Sequence, residues 1–331
     1  MRGRATRLLR PDPVPARRRE AGIALIAALW LTALLTVIAS AFAFSMRSEA
    51  LAARNALSLA AARAVADGAV ERTAFELSRP RNAPEVWEAN GETHVWQEGD
   101  ASVAAVAVDE SAKIDLNAAS EPLLRGLFQS VGGLDADAAQ ALVEAIADWR
   151  DADDLRRPNG AEEPDYRAAG RKYRPPNAGF ETVGELQRVL GMTPAVYARV
   201  ADSLTVYSRQ PGINPATASR EVLLALPNVT AEAVDAFLAQ RRDARAGKLP
   251  IPPFPGAQGF AAASVPVWRI RAGATLPDGV TFVRDAVLRP SGDPRHPVIA
   301  LLWQEGPRAS LTEPNAAAPG AVAGSDGSGK S

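Results

Sequence analysis

The chain has 331 residues, with 37 Lys and Arg against 38 Asp and Glu, for a formal net charge of −1. That balance leaves no overall electrostatic footprint for nucleic acid. There is no cysteine, which excludes a disulfide framework and a thiolate metal site, and the two histidines, His94 and His296, are too far apart in sequence to suggest a histidine-based catalytic or zinc centre.

The first 22 residues are rich in Arg and Pro and close on Arg17-Arg18-Arg19-Glu20-Ala21-Gly22. From Ile23 to Met46 no charge interrupts an apolar run. A helix of about 20 apolar residues crosses a bilayer. Three readings fit this stretch. A cleaved secretory signal has a shorter apolar region and a small-residue site at its far end, for which Ser40-Ala41-Phe42-Ala43 could serve. A signal anchor keeps the helix. A prepilin leader is cut on the cytoplasmic side, before a helix that stays with the mature chain. The arginines at 17–19 hold the N-terminus in the cytoplasm.

Strong helix formers continue from Ser48 to about Ser78, with a broad apolar stripe that needs a covering layer. Two short strands, His94–Gln97 and Ala101–Val108, flank Glu98-Gly99-Asp100 as a hairpin. From about Ile114 to Val206 the pattern is helical. Helices are expected over Glu121–Val131, Leu134–Trp149, Glu181–Leu190 and Pro194–Leu204, with Asn117 or Ser120 capping the first. A further helical stretch covers Thr217–Arg242. After a Pro/Gly-rich linker, strands are expected over Val265–Ala272, Val280–Arg289 and Val298–Gln304. The tail, 306–331, is expected to be disordered, because Ala, Gly, Pro and Ser cannot bury enough apolar surface. The order predicts an α+β fold: a long N-terminal helix packed on an antiparallel sheet, with an all-helical block inserted between strands. The segments are a leader (1–22), a membrane half of the helix (23–46), its continuation with the first strands (47–108), the helical block (109–248), the last strands (249–305) and the tail.

The helical block contains a repeat. Lys113-Ile-Asp-Leu-Asn117-Ala-Ala-Ser120-Glu-Pro-Leu-Leu parallels Gly212-Ile-Asn-Pro215-Ala-Thr-Ala-Ser219-Arg-Glu-Val-Leu-Leu, and Thr182 to Pro194 is a partial third copy. These units resemble helix-hairpin-helix modules, and a membrane-anchored DNA-binding protein is the alternative function. The glycine pair that admits phosphate to the backbone is missing from the second repeat, at Leu226-Pro227-Asn228-Val229-Thr230, and from the partial copy.

Between Asp148 and Tyr166 lie seven carboxylates and three arginines. Such an oxygen-rich loop suits either solvent or Ca²⁺, although its spacing is not that of an EF-hand. No nucleophile motif accompanies the carboxylates, and a non-enzymatic protein is expected.

The Gly22/Ile23 junction, the paired repeats, Asp148-Trp-x-Asp151-x-Asp153 followed by Pro158-Asn-Gly-Ala-Glu162, and Val183-Gly-Glu-Leu with Gly191-Met-Thr-Pro occur together in one order. In this the chain resembles the general secretion pathway protein K family, the large minor pseudopilins of type II secretion systems, from about Arg19 to Gln304. The resemblance implies a pilin-like fold with an inserted helical domain related to SAM and helix-hairpin-helix folds. It implies cleavage after Gly22 by prepilin peptidase, N-methylation of Ile23, and a single-pass inner-membrane protein with its bulk in the periplasm. It implies structural Ca²⁺ in the acidic loop, carried over onto Asp151, Asp153, Asp154, Glu162, Glu163 and Asp165. It implies other minor pseudopilins and the pseudopilus as partners, and no nucleic acid. Pseudopilins generally carry Glu as the fifth mature residue, to meet the N-terminal amine of a neighbour. Here that position is Ala27, which suits a subunit capping the tip.

Overall fold

The computed structural model describes residues 20–80, 86–261 and 266–307, with side chains from Ile23 onward. The leader up to residue 19 and the tail from 308 lie outside the described residues. The chain divides into two units, 1–60 and 61–331.

One helix, α1 (Glu20–Ser78), passes through both units. In the first unit every side chain from Ile23 to Leu57 is exposed. By length and composition α1 can cross a membrane: its most apolar window has a mean hydropathy of 2.4 and none of it is buried. The Gly22–Ile23 peptide lies within this helix.

In the second unit the same helix turns amphipathic. Ala62, Ala66, Ala69, Val70 and Ala74 are at most 4% exposed, at the three-to-four spacing of one helix face. They pack on a five-stranded antiparallel sheet of β1 (Asn90–Glu98), β2 (Ala101–Asp109), β5 (Trp268–Thr275), β6 (Thr281–Asp293) and β7 (His296–Glu305), in that order. Several inward side chains of β2 and β5 are also small, Ala105 and Ala107 on one and Ala272 and Ala274 on the other, with Val103, Trp268 and Ile270 filling the rest of that face. Methyl groups on both sides let the helix lie close, and small-into-small packing leaves little void. A charged clasp marks the rim of this layer: Arg284 of β6, 3% exposed, donates to Asp67 of α1 through Nε at 2.6 Å. The expected hairpin and three later strands are all present, each within a few residues of its predicted span.

The helical block enters after β2 and leaves before β5. It holds β3 (Ile114–Asp115), α2 (Glu121–Ser130), α3 (Ala136–Arg150), α4 (Glu163–Ala168), α5 (Pro194–Val200), β4 (Leu204–Thr205), α6 (Arg220–Leu224) and α7 (Ala231–Ala246). Its core is separate from that of the sheet and is built on Leu123, Leu127, Phe128, Leu142, Ile146, Trp149, Tyr166, Val222 and Leu223. A buried polar knot ties its entry. Asp109 accepts from the Ser111 amide at 2.9 Å and hydroxyl at 2.6 Å, from Asn214 at 2.9 Å and from Thr217 at 3.0 Å. Both carboxylate oxygens, which burial would otherwise strand, are thereby used.

Three local expectations need correction. Ser120 stands at the start of α2 but makes no capping bond. Asn117 is engaged elsewhere, exchanging two bonds with the Phe180 backbone at 2.9 and 2.7 Å. Thr217–Arg242 is two helices, α6 and α7, broken at Asn228, whose φ of 60° no helix accommodates. Glu181–Leu190 contains only a tight turn of 3-10 helix, Val183–Arg188.

Candidate functional site

The repeat forms a matched pair of helical hairpins, α2–α3 and α6–α7. Each is locked by an arginine from its second helix reaching back to the loop ahead of its first. Arg150 donates to the carbonyls of Leu116 and Ala119, and Arg241 to those of Pro215 and Ala218 at 2.9 and 2.7 Å. These are equivalent positions of the two copies. Burial lowers the Arg241 pKa to about 10. The copies meet where α2 presents Gly126: a Cβ there would lie 2.0 Å from the Ala225 carbonyl.

The first repeat, unlike the other two copies, does contain a glycine pair, Gly132-Gly133. Gly132 is buried and its polar groups are taken, while Gly133 is exposed. The Gly132 amide bonds Leu127, the Leu134 amide bonds Phe128, and Arg199 occupies the Gly132 carbonyl at 3.0 Å. The hairpins are thus packing units, and the DNA-binding alternative finds no support in them.

The acidic loop begins at the C-terminal end of α3. Asp148 and Trp149 are buried there, at 0 and 1% exposure. Trp149 packs against Phe180, Tyr166 and Tyr173, with centroids 6.0, 5.8 and 6.4 Å away. This aromatic wall fixes both arms of the loop. Burial pushes the Tyr166 hydroxyl up to about 12, and the Leu190 amide donates to it at 3.2 Å. Glu144, one turn before Asp148, accepts the Asn159 amide at 2.6 Å, and its pKa is lowered by the Gln140 side chain and Asn159. Gly160 then passes so close to Asp148 that a Cβ would stand 2.0 Å from Oδ2.

Among the predicted metal ligands the structure separates two groups. Glu163 is held by Arg167 and by Arg174 at 3.2 Å. Asp165 is bound by Arg156 at 2.9 Å and accepts the Glu162 amide at 3.0 Å. The other group has oxygens left over. Glu162 is 3% exposed, yet neither of its carboxylate oxygens has a partner, and Asp151 Oδ1 is likewise buried without one. Burial and the charges of Asp148, Asp151, Asp154 and Asp153 push the Glu162 pKa up to about 7. Burial and Asp153 raise that of Asp151, and burial raises that of Asp148. Asp153 caps the Leu155 amide at 2.9 Å, and Asp154 accepts from Asn177 at 2.8 Å.

Two oxygens beyond the predicted set belong to this group. Asp148 Oδ1 faces Arg157 Nε at 3.4 Å without hydrogen-bond geometry, and Asn177 Oδ1 is buried and unpartnered. Among the described residues no three acidic or histidine side chains already stand at metal-binding spacing. The donors are gathered but not closed. Their chemistry is carboxylate and amide oxygen, with no sulfur or imidazole, which fits a hard cation of the Ca²⁺ class.

Residues 102–209, from β2 through the acidic loop to β4, match the family described as type II secretion system (T2SS), protein K. That segment, the last strand before the helical block and the block as far as β4, is similar to a protein K domain. Two curated proteins resemble a longer part of the chain. Type II secretion system protein K of Klebsiella pneumoniae is 27% identical over 234 residues, covering 62% of this chain and 70% of the relative. That of Pectobacterium carotovorum subsp. carotovorum is 28% identical over 204 residues, covering 56% and 62%. The fold matches a chain in the crystal structure of the GspK-GspI-GspJ complex from the enterotoxigenic Escherichia coli type 2 secretion system. The TM-score is 0.57 at 17% identity, over 79% of this chain and 99% of that one. The predicted family resemblance and α+β fold are both met.

Proposed function

We propose that the chain acts as a minor pseudopilin of type II secretion, capping the tip of the pseudopilus and so supporting export of folded proteins across the outer membrane. The observation that carries this reading is the pairing of an exposed, membrane-length apolar helix with a protein K domain inserted in a helix-on-sheet body. The matched fold in the E. coli complex is accompanied by GspI and GspJ, and related minor pseudopilins are the natural partners here. The role is assembly, not catalysis.

The apolar half of α1 anchors the chain once in the inner membrane, with the bulk of the protein in the periplasm. Prepilin peptidase cuts after Gly22, and Ile23 becomes the methylated N-terminus. Ala27 lacks a carboxylate for the amine of a following subunit, so nothing is lost when none follows. A buried carboxylate without such a partner would be destabilising.

Ca²⁺ belongs in the acidic loop. Asp151, Asp153, Asp154 and Glu162 are its carboxylates, Asp148 and Asn177 add oxygens, and Glu163 and Asp165 brace the loop through arginines. Bound there, the ion supplies positive charge that the crowded carboxylates lack. It stiffens the loop and contributes to folding.

Intact mass and N-terminal sequencing of the protein taken from membranes of cells containing prepilin peptidase test the assignment. A chain beginning at methylated Ile23 supports it. A start after about Ala43, or an uncut leader, overturns it.

A further inference from the structure

A second charged feature borders the aromatic wall, at the C-terminal end of α4 and the segment that follows it. Arg167, Arg171, Lys172 and Arg174 surround a concavity of about 450 Å³, with Tyr173 and Glu163 completing its lining. The chain as a whole is balanced in charge, so four cations against one carboxylate is a local departure. All four cations are exposed. Among the described residues no ion pair or side-chain hydrogen bond occupies Arg171 or Lys172, whereas most other arginines of the helical block are committed to carboxylates or carbonyls.

The concavity has a rigid base. The guanidinium of Arg188 lies 4.6 Å above the Tyr173 ring, and the Tyr173 hydroxyl donates to the Arg188 carbonyl at 3.1 Å. The same ring contacts Tyr166 and Trp149, with centroids 5.9 and 6.4 Å away. The geometry already holds one carboxylate: Glu163 bridges Arg167 and Arg174. Like charges crowd one another unless anions are brought among them, and planar guanidinium groups match carboxylates.

We propose that this concavity is a docking site for an acidic segment of a partner protein, whose carboxylates engage Arg171 and Lys172 beside the internal Arg167–Glu163–Arg174 bridge. Arginine and tyrosine together are the composition of interface anchors. An anionic lipid surface fits less well. Surface-bound segments add apolar anchors beside their cations, and none of the residues lining the concavity is a strongly exposed large hydrophobic.

The test is fluorescence anisotropy of a labelled oligo-glutamate peptide, titrated at low salt with the full-length chain in detergent. The variants are Arg171→Glu combined with Lys172→Glu, Lys172→Gln alone, and Arg242→Glu on α7 as a control outside the concavity. Saturable binding that weakens about tenfold or more in the double variant, less in Lys172→Gln, and not in Arg242→Glu supports the site. Thermal melts of the variants confirm the fold; a melt lowered in the double variant shifts the reading to Lys172→Gln, whose weaker binding then supports the site and whose unchanged binding overturns it. Equal binding by wild type and double variant overturns it, as does equal weakening by Arg242→Glu. Tighter, Arg171-dependent binding to phosphatidylglycerol vesicles than to the peptide also overturns it, in favour of a lipid headgroup.

Discussion

Gly160 lies against the carboxylate of Asp148, so close that one added methyl group would sit 2.0 Å from Oδ2. Asp148 is wholly buried and cannot swing into solvent to make room. Gly160→Ala therefore displaces either the carboxylate or the loop. A destabilisation of about 1–3 kcal/mol is expected, as for other overpacked sites. Calcium affinity, measured by isothermal titration, should fall with it. Wild-type melting and calcium binding in the Gly160→Ala variant would contradict the close approach.

The proposed calcium site, with Glu162 in it, makes the response to pH a test of the metal. Its folded-state pKa of about 7 stands above the ordinary 4.5, so between those values the folded metal-free protein holds a proton that the unfolded chain has released. This contribution is fully present below 4.5 and is lost as pH rises through about 7. Metal-free protein should thus melt at a lower temperature at pH 7.5 than at pH 5.5, on the order of a few degrees. Saturating calcium should reverse the trend, because the ion competes with the proton, and should add about 2.7 kcal/mol at a hundredfold excess over Kd. Melts with calcium and with chelator at both pH values check this. Glu162→Gln should raise the metal-free stability at neutral pH and abolish the calcium response.

Asp285 on β6 is 2% exposed and is clasped by Arg269 at 2.9 and 2.6 Å. Burial alone would raise its pKa, but the Arg269 bonds and the charges of Arg269 and Arg271 outweigh it and hold it below 3.8. Its stabilisation is present above 3.8 and is lost as pH falls through the depressed value. Asp285→Ala strands a largely buried guanidinium, and a loss of about 3–5 kcal/mol is expected in denaturant unfolding. Replacing both partners together, as Asp285→Leu with Arg269→Met, should recover much of it.

The two repeats can be separated by a single methyl group. At Gly126 the obstruction is the Ala225 backbone, which has no rotamer through which to yield. Gly126→Ala should lower the stability of the helical block by about 3 kcal/mol, at the upper end for an overpacked contact. Hydrogen exchange should show it, with protection lost in α2 and α6 and retained in β2, β5 and β6.

Much of this fold is written in residue periodicity. The uncharged run after Ile23 and the alanine face of α1 at three-to-four spacing follow from local pattern, as do the alternating strands. What escaped depends on partners distant in sequence. Asn117 had the form of a helix cap, but Phe180 claims it. Asn177 adds its oxygen to the acidic loop from beyond α4. Asp148 lies in the last turn of α3 and Asp151 just past its end, which is enough to bury one wholly and the other only in part. The glycine pair at 132–133 has the composition of a phosphate cradle, yet Gly132 spends its amide on Leu127 and its carbonyl on Arg199. In the acidic loop, composition supplied the list of carboxylates. Only the arginines show which of them are already spoken for.

Asp109 and Trp268 are register partners across β2 and β5, the two strands that flank the helical block. The chain therefore departs from the sheet and rejoins it at one rung of the ladder. Without the intervening segment, the five strands would follow one another as an unbroken meander. The block is joined to the sheet by the two chain segments that leave β2 and enter β5. Its size and surface are free to vary without shifting the register of any strand.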